Sequence, residues 1–156
     1  MSEKRMTRNG FSLPEVLIVI AIMMILLTIS GISFNSWMRN YRLEGQVRTL
    51  YVDLMNARVR AMQKNHLHFV VVAANSYSVR EDTDDDGVAD ADLWTKQLIN
   101  PSNWENTVVM NTRGLVSPEN TITFNTGNAT AAYDCITLSS TRIRMGKFNG
   151  TNCVSR

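Results

Sequence analysis

The feature that most constrains this chain is the run from Val16 to Ile32, apolar except for Thr28, Ser30 and Gly31 and preceded directly by Glu15. Hydroxyls in such a run can bond back to helix carbonyls, so they do not rule out a spanning helix. The run is about long enough to cross the hydrocarbon core of a bilayer. Lys4, Arg5 and Arg8 precede it, which predicts a cytoplasmic N-terminus with the remainder outside. A cleaved secretory signal would end in a small-residue site. Ser30-Gly31-Ile32 is a weak match, and the sequence stays helix-like through Trp37 and Tyr41. Glu15 is the difficulty. A carboxylate in apolar surroundings needs a cation opposite it, because an unpaired buried charge is costly.

The residues around it are Gly10-Phe11-Ser12-Leu13-Pro14-Glu15. A short basic leader, a Gly-Phe pair and a glutamate four residues past the Phe resemble the class III signal of type IV pilins and type II secretion pseudopilins. The resemblance implies cleavage between Gly10 and Phe11 by a prepilin peptidase, which then methylates the new Phe11 amine. It also implies that Glu15 pairs with a neighbouring subunit's N-terminal amine during assembly. The domain organisation expected is a cytoplasmic leader over 1–10, a hydrophobic transmembrane and assembly helix over 11–35, and a periplasmic pilin-like domain over 36–156. The partners implied are other pilin or pseudopilin subunits, the peptidase and the inner membrane, and the site of action is a pilus or pseudopilus.

With 156 residues, the chain fits one ordinary domain plus an anchor. Its formal net charge is +2, and Lys4, Arg5 and Arg8 against Glu3 already account for that. The rest is neutral, which excludes a global basic field for nucleic acid and leaves only local clusters. Past Ile32, apolar residues recur at three- and four-residue steps through Val47, Leu50, Tyr51, Leu54, Met55 and Met62, which predicts a continuing amphipathic helix. From about Leu13 to Lys64, such a helix is on the order of 75 Å long. After Lys64 the period becomes two. "HLHFVVVA" and "SYSVRE" read as a hairpin about Ala74-Asn75-Ser76, and "LWTKQLI", "TVVM", "TITF", "CITL" and "RIRM" as further strands. The fold class expected is α+β, a long N-terminal helix packed on a small antiparallel β-sheet.

Within the pilin superfamily, "ITFNTGNATA" followed by "ITLSSTRIRM" resembles the GspH/FimT group of minor pseudopilins and minor pilins. Thr141 stands where that group's Gly-Arg-x-Arg segment has glycine. In the FimT-like branch such arginines bind DNA, so Arg142, Arg144 and Lys147 are candidate DNA contacts, the first two on one strand face. The cysteines, Cys135 and Cys153, lie close together beyond the anchor. One disulfide is expected rather than two buried thiols.

"EDTDDDGVADAD", from Glu81 to Asp92, holds seven of the fourteen acids in the chain. Asp82, Asp84, Asp86 and Gly87 have the spacing of an EF-hand loop: oxygens at positions one, three and five, then a glycine for the turn. Val88 would offer its carbonyl at position seven and Asp90 its carboxylate at nine, and the cofactor expected is Ca2+. Position twelve, normally a bidentate Glu, is Leu93, with Asp92 as a substitute if the loop shifts. His66 and His68 lack a third ligand at useful spacing and read as surface or helix-contact residues. Trp37, Trp94 and Trp104 read as packing residues. With no nucleophile–base motif, phosphate loop or catalytic carboxylate pair, the sequence reads as a peptidase substrate, not an enzyme.

Overall fold

A computed structural model of the chain describes residues 11–127 and 130–155, the side chains of 28–33 excepted. Gly10 and the expected leader lie outside the described residues. Helix α1 runs from Leu13 to Lys64, and the chain divides into two compact units, Met1–Trp37 and Met38–Arg156.

In the first unit, the Ser12 carbonyl accepts the amides of Glu15 and Val16 at 3.1 and 3.3 Å, opening α1. Pro14 falls in this first turn, where its missing N–H costs no helical hydrogen bond. Every side chain from Phe11 to Leu27 is exposed. Phe34 and Trp37 approach with ring centroids 6.1 Å apart. Trp37, expected to pack, makes this ring contact while more than half exposed.

In the second unit, α1 buries Leu43, Val47, Leu50, Leu54, Ala57 and Ala61. These alternate three and four residues apart, one face of a 3.6-residue helix. Tyr51 and Met55 flank that face, but Met62 departs from the expectation and is exposed. Ala61 holds the inward position one residue earlier, and Met62 lies beside Gly114, where an added methyl group would come within 2.7 Å of its sulfur.

The strands number nine among the described residues. They are β1 His68–Val72, β2 Ser76–Glu81, β3 Ala91–Gln97, β4 Asn106–Met110, β5 Val116–Ser117, β6 Asn120–Thr123, β7 Cys135–Leu138, β8 Ile143–Phe148 and β9 Cys153–Ser155. The β1–β2 hairpin turns where the sequence places it, with the Ala73 amide donating to the Ser76 carbonyl at 2.8 Å. Instead of one small sheet there are two antiparallel ones, ordered β3-β2-β1-β4-β5 and β6-β7-β8-β9. The break falls between β5 and β6 at Pro118, which has no amide to continue a ladder. Both sheets contribute to one core with α1: Val70, Val79, Val108 and Met110 from the first, Ile122, Ile136 and Leu138 from the second. A buried polar tie joins helix to sheet. Asp53 of α1 accepts the Tyr77 hydroxyl at 2.5 Å and the Lys96 ammonium at 2.7 Å on the same oxygen. Burial, reinforced by the bond to Asp53, pushes the Tyr77 phenol well above its ordinary pKa.

Cys135 and Cys153 form the disulfide. It connects β7 to β9 across β8, because Cys135 pairs in register with Gly146 and Phe148 pairs with Cys153. Gly146 therefore has the bridge over it. A Cβ there would stand 2.5 Å from the Val154 carbonyl oxygen and 2.8 Å from the Cys153 sulfur.

Candidate functional site

Three groups of residues carry functional expectations, and each lies within one unit. The first is the start of α1. Phe11, Glu15, Val16, Val19 and Ile20 line a shallow groove of about 220 Å³, placed on neighbouring positions by the helical repeat. Glu15 is the one charged residue between Phe11 and Leu27. An apolar surface of this extent, Phe11 at 82 % exposure and Leu13 at 76 %, exceeds what single chains leave in water and calls for a covering partner.

The second group is the β2–β3 loop. Asp82, Asp84 and Asp86 bring one carboxylate oxygen each within 4.8 Å of one another. The backbone folds tightly to do this, with Asp85 at φ 62° and Gly87 at φ 85°. A glycine takes the second of these left-handed positions at no steric cost. Asp82 accepts the Gly87 amide at 2.8 Å, Asp84 the Asp86 amide at 3.3 Å, and Asp86 the Val88 amide at 2.7 Å. The Asp86 amide draws the Asp84 pKa down, but desolvation and the charges of Asp86, Asp90 and Asp82 outweigh it, and the net shift is upward. Asp90 stands outside the group. Its carboxylate accepts the Thr83 amide and hydroxyl at 2.9 and 3.0 Å, which holds its pKa low. Nor does Asp92 shift in as a substitute, because it sits in β3 paired to Arg80 at 2.6 Å.

The two histidines sit differently. His66 precedes β1, half-exposed, and its Nδ1 meets Asp85 at 2.8 Å. That hydrogen bond raises its pKa. His68, in β1, is buried, and desolvation lowers its pKa. Sequence reasoning also missed the burial of Glu81 and Asp82. Continuing the β2 alternation of buried Tyr77 and Val79 by one step reaches Glu81, but Asp82 follows no such period.

The third group is the C-terminal basic cluster, and the fold separates it. Lys147 is tied to buried Asp134 at 2.7 Å. Arg142 precedes β8 and Arg144 lies within it, both exposed. Arg144 shares a cleft of about 400 Å³ with Tyr51, Tyr133, Ile143, Met145 and Ser155. Arg48 lies over the Tyr133 ring, 5.5 Å from its centre.

Residues 5–31 match the family model of the prokaryotic N-terminal methylation motif. The fold is similar to the crystal structure of the type IV minor pilin FimU of Pseudomonas aeruginosa, with a TM-score of 0.51 over 67 % of this chain and 92 % of that one. The chain has the type IV pilin fold behind a class III signal. The two chains are 14 % identical, so the likeness concerns the fold alone. No curated protein is significantly similar in sequence. Motif and fold are thus both of the pilin kind: an N-terminal methylation motif at residues 5–31 and a pilin-like fold behind it. They also point to a membrane anchor. Among the described residues no helix is long and apolar enough to cross a membrane; the expected span includes residues 28–32, whose side chains are outside those described.

Proposed function

We propose that this pilin is a minor subunit of the GspH/FimT-like group, acting in assembly or priming of a type IV pilus or type II secretion pseudopilus. It is cut after Gly10, methylated on Phe11, and crosses the inner membrane once with its N-terminus cytoplasmic and residues 36–156 periplasmic. One observation carries this reading: an exposed apolar helix surface from Phe11 to Leu27 on which Glu15 is the sole charge. Bilayer or neighbouring helices would cover the apolar groups. A second subunit's Phe11 ammonium would neutralise the acid, and a charge pair is tolerated where a lone charge is not. The likeness to FimU, itself a minor pilin, supports the minor-subunit assignment. The test is recovery of the processed chain in a sheared filament fraction.

A second reading, DNA capture in uptake, draws support from the cleft that joins Arg144 to two tyrosines, since aromatic faces stack bases and guanidiniums meet phosphates. With Lys147 committed to Asp134, two arginines remain. On this reading Arg142→Ala with Arg144→Ala lowers DNA affinity of the full-length chain in detergent at least tenfold and reduces its log–log salt slope by about 2. On the subunit reading the double variant enters filaments as readily as the unaltered chain. No binding by the unaltered chain at low salt would remove DNA capture.

A further inference from the structure

We propose that the β2–β3 loop binds one calcium ion on the carboxylates of Asp82, Asp84 and Asp86. Clustered acids alone would not carry this, since acidic turns are commonly solvated. Two further observations do. Asp82 is fully buried, and while its Oδ2 accepts the Gly87 amide, its Oδ1 has no hydrogen-bond partner among the described residues. A buried anionic oxygen left unpaired is among the costliest groups a fold can retain. The surrounding bases are also spent on other acids: Lys64 on Glu81 at 2.7 Å, His66 on Asp85 at 2.8 Å and Arg80 on Asp92 at 2.6 Å. Among the described residues, none forms an ion pair with the three central aspartates. Charge compensation is supplied all around the site and withheld at its centre.

The donor set selects the ion. Three carboxylates, without nitrogen or sulfur, suit a hard cation. Coordination is completed by the Val88 carbonyl, at the seventh loop position, and by water. Magnesium demands near-octahedral geometry and keeps its waters, whereas calcium accepts six to eight oxygens in irregular arrangement. Asp90 is held by Thr83, and the twelfth position is Leu93. Lacking a bidentate glutamate, the site is weak, with a Kd of roughly 10⁻⁴ to 10⁻³ M, the range of extracellular calcium modules. The ion would lock the loop that leads into β3, an edge strand of the five-stranded sheet. None of this depends on the pilin's place in a filament.

The test uses the full-length chain in detergent micelles, stripped with EDTA and titrated calorimetrically with CaCl₂, with MgCl₂ in parallel. One calcium per chain is expected, with a melting temperature higher by about 5 °C when calcium is tenfold above Kd. Asp84→Asn with Asp86→Asn, both exposed positions, should weaken binding at least tenfold while leaving the circular dichroism spectrum unchanged. No heat and no melting shift from the unaltered chain at 5 mM calcium (roughly fivefold above the weak end of that range) would overturn the site. So would an equal response to magnesium, or unchanged binding by the double variant.

Discussion

Glu15→Ala should lower the amount of this chain in sheared filaments at least tenfold, while cleavage and membrane retention continue. Glu15 stands beside Phe11, Val16, Val19 and Ile20. Once those neighbours are covered, the acid is in a low-dielectric site. Removing one member of a buried charge pair typically costs about 3–5 kcal/mol, because the other charge remains desolvated and alone. On the proposed reading, the stranded charge is a neighbouring subunit's ammonium. Tenfold corresponds to about 1.4 kcal/mol, so the expectation stays well inside that cost. Quantitative immunoblotting of sheared and membrane fractions reads both quantities. Equal incorporation of the variant would show that Glu15 has no partner in assembly.

Gly146→Ala is expected to destabilise the oxidised chain by about 3 kcal/mol, the upper end of ordinary overpacking costs. The added methyl group would stand 2.5 Å from the Val154 carbonyl oxygen and 2.8 Å from the Cys153 sulfur. Neither obstacle is a flexible side-chain tip. One is backbone, and the other is fixed by the bond to Cys135. β9 would have to separate from β8 while the disulfide still holds its end. Denaturant midpoints of the oxidised full-length proteins measure the difference. A loss under 1 kcal/mol would mean that β9 adapts freely and the bridge does not confine it.

The helix was legible because its cause is local and periodic. Val47, Leu50 and Leu54 repeat at the helical step, and both ends of α1 fall where the pattern starts and stops. Strands with alternating or branched apolar residues, such as Phe69 to Val72 and Cys135 to Leu138, were legible for the same reason. β5 and β9 were not. They are two and three residues long, and they form because of what lies beside them: β4 for one, the disulfide and β8 for the other. The two-sheet division was hidden likewise, since it depends on where Pro118 interrupts a ladder. The aspartate spacing in the β2–β3 loop was readable from turn chemistry. The burial of Asp82 and the commitments of Asp90, Asp92 and Lys147 were not, because each partner's location follows from tertiary structure. The fold also resolved the basic tail, which in sequence looks like one cluster, into a half-exposed lysine paired to a buried aspartate and two exposed arginines.

The central claim is that this chain is matured for assembly at the Gly10–Phe11 bond. Intact-mass and N-terminal fragment spectra of the protein purified from native membranes test it most directly. The expected species begins at Phe11 and carries one methyl group on its amine. A chain still bearing Met1 to Gly10, in cells whose peptidase processes other pilins, would contradict it.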